Sequence, residues 1–245
     1  MKNSTDLYLD LLKRCLLGEL YQDGSITAGD QQPYDPALRD EGRDWPQFAH
    51  TMIGRKRLDH LHECLDIIRN ETIPGDVIET GVWRGGASIF MRGYMKAYDQ
   101  TRIVWAADSF SGLPEPDAER YPQDAGDQHH AAPELAVSLE DVKENFSRYG
   151  LLDDGVRFLP GWFEDTLPDA PIKQLALLRL DGDMYQSTWQ ALEALYTKLS
   201  PGGIVIVDDY GAVPACKSAV EDFRSQHNIT AEIHPIDWTG AWWRK

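Results

Sequence analysis

Residues 175–185 read LALLRLDGDMY, an apolar run that stops at two aspartates separated by one glycine. A run that is apolar at consecutive positions predicts a strand covered on both of its faces. Carboxylates at the end of a buried strand are costly to desolvate unless they hydrogen-bond, pair with a cation or hold a metal ion. Asp181 and Asp183 are therefore candidates for a functional site as well as markers of the strand end.

Four other apolar runs share this character and alternate with stretches of helical periodicity. The five predicted strands are DVIET (76–80), RIVWAAD (102–108), VRFLP (156–160), LALLRLD (175–181) and GIVIVDD (203–209). The predicted helices between them are Gly86–Tyr98, Leu139–Tyr149, Gln186–Leu199 and Ala215–His227. This alternation is typical of a doubly wound α/β domain, in which helices cover both faces of a parallel sheet. Two further strands, AEIHPI and GAWWRK, follow without a helix between them, which predicts a mostly parallel seven-stranded sheet with one antiparallel strand.

Residues 1–70 are predicted to form an N-terminal segment of helices and a lid, and residues 71–245 the α/β domain, within one compact unit. Leucines at helical spacing indicate an amphipathic helix from about Thr5 to Tyr21, and a second helix is expected around Met52–Ile68. Between these helices, Gln22–His50 is rich in Gly, Pro, Asp and Gln with scattered aromatic residues. Such a segment is too polar for a core element, so we interpret it as a lid or substrate-contacting loop.

The charge of the chain argues against several classes of partner. Its 245 residues include 24 Lys and Arg against 40 Asp and Glu, for a formal net charge of −16. This negative field repels phosphate backbones and anionic membranes, so neither nucleic acid nor a membrane is expected as a partner. The N-terminus, MKNSTDLYLDLLKRCLLGEL, lacks the apolar core of a signal peptide, and the three cysteines form no metal-ligand spacing. Together these features predict a cytoplasmic protein with reduced thiols.

Ligands of open α/β sheets bind beyond the carboxyl ends of the strands, so the residues after each apolar run carry the functional signal. The first strand leads into ETGVWRGGAS (79–88), a glycine turn that lets the backbone approach a ligand and is flanked by Glu79. The second strand ends at Asp108, which suits either the diol of a ribose or the cap of a turn. Acidic residues beside a glycine turn disfavour a pyrophosphate, whereas S-adenosylmethionine is a cationic nucleoside without phosphate and fits.

Two other strand ends predict a metal site. The fourth strand ends at Asp181 and the fifth at Asp208 and Asp209, so three carboxylates meet if these strands are parallel neighbours. Oxygen ligands without cysteine or paired histidine favour Mg²⁺. A lone DGD is more often a turn, and a lone DD is often a helix cap. Two acidic strand ends in register are harder to explain as a coincidence of turns and caps. His129 and His130, in QDAGDQHHAAPE, are either a surface pair or a proton acceptor near the substrate.

Long segments of the chain resemble the macrocin O-methyltransferase family, enzymes that use Mg²⁺ and S-adenosylmethionine to methylate sugar hydroxyls of macrolides and of the aminocoumarin novobiocin. In order from Leu7 to Tyr210, the matching segments are LYLDLLKR, HTMIG, DVIETGVWRGG, ADSFSGLP, NFSRYGLLDDGVRFLPGWFEDTLP, LRLDGDMY and LSPGGIVIVDDY. The resemblance implies a class I, Rossmann-like methyltransferase fold, with S-adenosylmethionine and Mg²⁺ as cofactors. It also implies a small-molecule glycoside, macrolide-like or aminocoumarin-like, as the acceptor.

The resemblance further implies roles for individual residues. The metal ligands are expected to be Asp181, Asp208 and Asp209. The cofactor is expected to contact Met52, Ile53, Glu79, Gly81, Val82, Trp83, Arg84, Gly85, Asp108, Ser109, Phe110, Ser111, Gly161 and Trp162. Asp183 matches the aspartate proposed as general base in the aminocoumarin member, and Gly182 is expected to let the backbone turn so that Asp183 faces the acceptor. The segments Asp23–Asp44 and Glu115–Leu135 match least well and are expected to lie near the acceptor.

Three other classes of protein fit part of this pattern. A catechol-type methyltransferase would share the metal and the methyl donor but act on a planar phenolic diol. An NAD-dependent dehydrogenase would explain the acidic residue after the second strand, but not three carboxylates suited to a metal. A binding module or degenerate methyltransferase is disfavoured because the carboxylates and the glycine turn are all present. The N-terminal helix could pack between subunits, so a homo-oligomer is expected.

Overall fold

A twisted sheet with helices on both faces organises the chain, and the computed structural model describes residues 3–27 and 30–245. Met1 and Lys2 of the predicted N-terminal segment, and Ala28 and Gly29 of the predicted lid, lie outside the described residues. The helices are α1 (Ser4–Leu16), α2 (Pro36–Glu41), α3 (Gly54–Asn70), α4 (Gly86–Ala97), α5 (Leu139–Arg148), α6 (Phe163–Thr166), α7 (Tyr185–Leu195) and α8 (Pro214–Gln226). The strands are β1 (Ser25–Thr27), β2 (Asp30–Gln32), β3 (Asp76–Thr80), β4 (Val104–Asp108), β5 (Val156–Pro160), β6 (Leu175–Leu180), β7 (Leu199–Val207), β8 (His234–Pro235) and β9 (Ala241–Arg244).

Seven of these strands form the main sheet, in the order β5-β4-β3-β6-β7-β9-β8. In this spatial order, the neighbouring strands β5, β4, β3, β6 and β7 all pair in parallel. Strand β9 is antiparallel to both β7 and β8. The predicted fold class is therefore confirmed. The chain order reverses between β3 and β6, which is the position where a doubly wound sheet opens a crevice for ligands.

The register of the strands aligns the ends that carry the candidate site. Thr80 pairs with Leu180, and Leu180 pairs with Val207. The backbone amide of Asp181 then donates to the carbonyl of Thr80 at 2.9 Å, and that of Asp208 to the carbonyl of Leu180 at 2.8 Å. The predicted condition that the fourth and fifth strands be parallel neighbours is thus met.

Alternate residues of each buried strand pack on opposite sides of the sheet. On one side, Val77, Leu177 and Ile204 belong to a core shared with α1, α3 and α4. On the other side, Ile78 and Leu178 belong to a core shared with α7 and α8. Helices α1 and α3 thus share a core with the sheet, and both the division at residue 70 and the single compact unit stay predictions.

The N-terminal segment differs from the prediction in two respects. The helix α1 ends at Leu16, because the chain turns at Gly18 with φ near +67°, and the predicted extension to Tyr21 is wrong. Gln22–His50 is not a continuous loop, since it contains the antiparallel pair β1–β2 and the helix α2.

Polar residues build the core of that segment by pairing. The fully buried guanidinium of Arg39 lies 2.8 Å from the carboxylate of Asp44 and donates to the carbonyl of Asp23 at 2.8 Å. Buried charges are tolerated when each one finds a partner of opposite sign and its hydrogen bonds. The expectation that the segment is too polar for a core element was therefore wrong.

The remaining elements follow the predicted runs with small shifts at their ends. Strand β7 begins earlier than predicted, at Leu199, and helix α7 correspondingly ends earlier, at Leu195. Within the two described ranges, no helix combines the length and the apolarity needed to cross a membrane.

Candidate active site

A cavity of about 870 Å³ opens at the carboxyl ends of β3, β4, β6 and β7. Its volume lies within the range of roughly 300–1,000 Å³ typical of small-molecule sites. The predicted site residues on its wall are Met52, Ile53, Glu79, Gly81, Val82, Trp83, Asp108, Ser109, Gly161, Trp162, Asp181, Asp183, Asp208 and Asp209. The strand ends therefore bring most of the predicted residues to one place.

Four residues predicted to contact a cofactor are not among those that line the cavity. Arg84 donates to the carbonyls of Pro46 (3.1 Å) and Ala49 (2.9 Å), and it thereby ties the glycine turn to the N-terminal segment. The other three are Gly85 at the N-cap of α4, Phe110 packed against Phe158, and the exposed Ser111. Their cofactor contacts stay a prediction.

Gly81 is required because two strand ends approach each other closely. It has φ near +90°, and a Cβ atom at this position would lie 1.6 Å from the carbonyl oxygen of Asp181. Any side chain would push β3 away from β6 beside Asp181, the first of the three clustered carboxylates. The close approach of the protein's own backbone therefore requires a glycine here, in addition to the predicted approach of a ligand.

Asp108 anchors the glycine turn from the end of β4. Its carboxylate accepts hydrogen bonds from the backbone amides of Val82 (2.6 Å), Trp83 (3.3 Å) and Phe110 (2.7 Å). Burial raises the pKa of Asp108, although these amides oppose the rise. The cap interpretation therefore holds, and because each carboxylate oxygen can accept more than one hydrogen bond, a ribose contact remains compatible with it.

Glu79 is buried at the end of β3 with both carboxylate oxygens engaged. One oxygen lies 2.6 Å from the guanidinium of Arg179, and the other accepts from the hydroxyl of Ser88 at 2.5 Å. Burial raises its pKa, and the charge of Arg179 opposes that rise. Glu79 thus lines the cavity while belonging to a buried charge network.

Two arginines, neither of them predicted from the sequence, hold this network together. Arg179 is fully buried in β6 and forms ion pairs with Glu79 (2.6 Å), Asp181 (2.6 Å) and Asp208. Arg57, from α3, forms an ion pair with the other oxygen of Asp208. An arginine inside an otherwise apolar run, as in LALLRL, is the signal that would have identified Arg179, since such a charge needs buried partners.

Asp181, Asp208 and Asp209 form a cluster suited to a metal ion. Each offers one carboxylate oxygen, and these oxygens lie within 4.8 Å of one another, the one such group of three found in the described ranges. Burial, together with the charges of Asp208 and Asp183, raises the pKa of Asp181 to about 8, although Arg179 opposes this. Burial and the neighbouring carboxylates also raise the pKa of Asp209. The two arginines leave negative charge uncompensated, so the donor set and its electrostatics both fit a hard divalent cation.

Asp183 lies beside this cluster in a strained backbone conformation. Its φ is near +55°, which is uncommon for a residue with a side chain, and its amide donates to the carboxylate of Asp209 at 3.1 Å. The expectation that Gly182 makes the turn was therefore wrong, because Asp183 itself adopts the left-handed conformation. Gly182 is instead needed for space, since a Cβ there would lie 2.9 Å from the Cβ of Ser187.

The two histidines of the loop between β4 and α5 have different surroundings. His129 lies on the cavity wall, and its Nδ1 is 2.7 Å from the carboxylate of Asp127. His130 is partly buried, and its Nδ1 has no hydrogen-bond partner among the described residues. The two histidines therefore differ in position, because His129 lines the cavity and His130 does not.

Residues 5–245 match the model of a protein family described as macrocin-O-methyltransferase (TylF). The 8-demethyl-8-(2,3-dimethoxy-alpha-L-rhamnosyl)-tetracenomycin-C 4'-O-methyltransferase of Streptomyces olivaceus is 53% identical over 248 residues, which cover 99% of this chain and 94% of that protein. The mycinamicin III 3''-O-methyltransferase of Micromonospora griseorubida is 51% identical over 246 residues, which cover 98% of this chain and 96% of that protein. The solved structure of the O-methyltransferase NovP matches with a TM-score of 0.95 and 49% identity, covering 99% of both chains. These similarities extend over every element that contributes to the cavity.

Proposed function

The chain belongs to the macrocin O-methyltransferase family, and from this premise we propose that it methylates a sugar hydroxyl of a glycosylated natural product in a Mg²⁺-dependent reaction. It is accordingly an S-adenosylmethionine-dependent O-methyltransferase. The proposal concerns the acceptor, the metal and the roles of the residues. Its support from the structure is the cluster Asp181, Asp208 and Asp209 on the wall of the same cavity as the glycine turn.

The acceptor class is inferred from the relatives. The proteins from Streptomyces olivaceus and Micromonospora griseorubida are named for O-methylation at the 4' and 3'' positions of glycosylated products. We therefore propose a macrolide-like, aminocoumarin-like or aromatic polyketide glycoside as the acceptor of this chain. The cavity has room for a nucleoside donor and part of a glycoside together, since about 870 Å³ approaches the upper end of the usual range.

The methyl donor is proposed to lie along the glycine turn. Gly81, Val82 and Trp83 line the cavity beside Asp108, and Gly161 and Trp162 line it after β5. Carboxylates on this side favour a donor that carries positive charge and no phosphate. Four of the residues predicted to bind the donor do not line the cavity. Of these, Arg84 is proposed to act by fixing the glycine turn, not by touching the donor.

The acidic cluster is proposed to hold Mg²⁺ through Asp181, Asp208 and Asp209. When bound, Mg²⁺ supplies a Lewis acid that favours the ionised form of an alcohol, and S-adenosylmethionine supplies an electrophilic methyl group. The protein's own part is to orient the acceptor and to accept its proton at the carboxylate of Asp183. The hydrogen bond from the amide of Asp183 to Asp209 fixes the backbone of Asp183 relative to the cluster. Placing the reactants at near-contact distance supplies about 7–11 kcal/mol of barrier reduction in favourable cases, more than proton transfer contributes.

Replacing Asp108 by asparagine is expected to weaken S-adenosylmethionine binding by about tenfold. The amide side chain keeps one acceptor oxygen, but its NH₂ group faces backbone amides that also donate, so the turn loses buried hydrogen bonds worth roughly 1–3 kcal/mol. Titration calorimetry with S-adenosylmethionine measures the change. Asp117→Asn, in the exposed part of the following loop, is the matched control, and equal affinities for all three proteins would contradict the role of Asp108.

A methyl-transfer assay tests the acceptor class. The enzyme is incubated with labelled S-adenosylmethionine, Mg²⁺ and a panel of deoxysugar glycosides, with catechols and simple phenols as the competing class. Label transferred to a sugar hydroxyl is the expected result. Transfer to catechols alone would replace the proposal with a phenolic O-methyltransferase, and the family match leaves no place for the dehydrogenase alternative.

Two further predictions remain part of the proposal. A cytoplasmic location agrees with three unpaired cysteines, of which Cys64 and Cys216 are buried. A homo-oligomer agrees with helix α1, which leaves Leu7 and Leu11 59% and 50% exposed. Covering these side chains between subunits would remove apolar surface from water.

A further inference from the structure

The loop between β4 and α5 is fixed to the element that follows Asp183. The buried carboxylate of Asp124 accepts hydrogen bonds from the backbone amides of Tyr185 (2.7 Å) and Gln186 (2.9 Å), in the first turn of α7. The side chains of Tyr121 and Tyr185 also pack, with ring centroids 6.0 Å apart. Because α7 begins two residues after Asp183, these contacts determine where the loop lies relative to that carboxylate.

Asp127 orients the imidazole of His129 within this loop. One oxygen of Asp127 accepts from the backbone amide of His129 at 2.8 Å, and the other lies 2.7 Å from Nδ1 of the ring. A ring nitrogen beside a carboxylate carries the proton, which leaves Nε2 as the nitrogen that can meet a ligand. The side chain is 38% exposed and lies on the cavity wall, so a ligand can reach it.

His129 and Asp183 both line the cavity, so their side chains face a common volume.

We propose that His129, oriented by Asp127, positions the acceptor by a hydrogen bond in which its ring Nε2 accepts from a sugar hydroxyl next to the reacting one. This inference rests on the proposed function, because it requires a glycoside in the volume beside Asp183. It assigns an acceptor-positioning residue to the loop Glu115–Leu135, one of the two segments expected from the sequence to lie near the acceptor. His129 and Asp127 would then contribute to the choice of sugar and not to binding of the methyl donor.

The test compares His129→Ala and His129→Gln with the wild-type enzyme on an accepted glycoside. We expect His129→Ala to lower kcat/KM for the glycoside by roughly 10- to 100-fold, mainly through a higher KM, because a hydrogen bond to a polar ligand is lost. His129→Gln keeps a hydrogen-bonding group and should recover part of the loss. Asp127→Asn, which removes the charge but keeps an acceptor oxygen, should give a smaller decrease.

Direct binding separates positioning from a merely structural role of the loop. Calorimetry of the glycoside with the S-adenosylhomocysteine complex should show weaker binding for His129→Ala, while S-adenosylhomocysteine affinity and the thermal unfolding midpoint stay at wild-type values. His130→Ala, on the same turn but off the cavity wall, is the control and should behave as wild type.

Two results would overturn the inference. One is a glycoside kcat/KM within twofold of wild type for His129→Ala, and the other is a parallel loss of S-adenosylhomocysteine affinity and thermal stability. A wild-type enzyme that methylates no glycoside is a different failure. It would remove the proposed function itself, and this inference with it.

Discussion

Asp209→Ala is expected to abolish methyl transfer, with a decrease in kcat/KM of about 10³-fold or more, while S-adenosylmethionine binding stays measurable. Asp209 contributes one of the three carboxylates of the cluster and also accepts the hydrogen bond from the amide of Asp183. Its loss removes a proposed metal ligand and also the hydrogen bond that holds the backbone of Asp183, the proposed base. A bound metal ion contributes several kcal/mol to stabilising the transition state, and each 1.36 kcal/mol corresponds to about tenfold in rate.

Asp209 is the most informative of the three ligands to replace. Asp208 pairs with both Arg57 and Arg179, so its removal would take one ion-pair partner from each of two buried guanidinium groups and would confuse stability with catalysis. Steady-state kinetics, calorimetry with S-adenosylmethionine and calorimetry with Mg²⁺ should be measured on the same protein sample. Asp154→Ala removes an exposed carboxylate and serves as the control. Turnover of Asp209→Ala within tenfold of wild type would contradict the assigned role.

Arg179→Met is expected to destabilise the fold by about 3–5 kcal/mol, the cost of leaving buried charges unpaired. Arg179 is fully buried and forms ion pairs with Glu79, Asp181 and Asp208. Methionine replaces the aliphatic part of the side chain but not its guanidinium, so most of the lost free energy reports the charge and its hydrogen bonds. Urea unfolding at constant Mg²⁺ concentration measures the free energy of unfolding.

A matched pair of variants separates the charge of Arg179 from its geometry. Arg179→Lys keeps the charge but loses the planar fork that reaches several carboxylates at once, so an intermediate loss of stability is expected. Arg157→Met, on the exposed side of β5, should change the free energy of unfolding by less than about 0.5 kcal/mol. An Arg179→Met protein as stable as Arg157→Met would show that the carboxylates do not depend on this arginine.

The sheet and the place of the site were predictable from the sequence because both depend on local patterns. Strands β3 and β5 have the predicted bounds, since apolar runs framed by turn residues admit few other structures. Once the strands are parallel and neighbouring, their carboxyl ends must share an edge, and Asp181 and Asp208 meet there without further information.

What escaped prediction depends on contacts between distant parts of the chain. Arg57 reaches Asp208 across 151 positions of sequence, and Arg39 gives the N-terminal segment a buried polar core. The strained residue of LDGDMY is Asp183 and not Gly182. Residue 182 must be small because it packs against Ser187, which lies outside this motif. The link from Asp124 to the start of α7 likewise has no signature in either segment alone.

The central claim is that a divalent cation held by Asp181, Asp208 and Asp209 is needed for methyl transfer. The most direct test follows transfer of labelled methyl from S-adenosylmethionine to an accepted glycoside in purified enzyme treated with EDTA, before and after Mg²⁺ is restored in excess. Activity is expected to disappear in EDTA and to return with Mg²⁺ in the wild-type enzyme but not in Asp209→Ala, while S-adenosylmethionine binding persists throughout. Full activity in EDTA, with the metal removed as verified by elemental analysis, would contradict it.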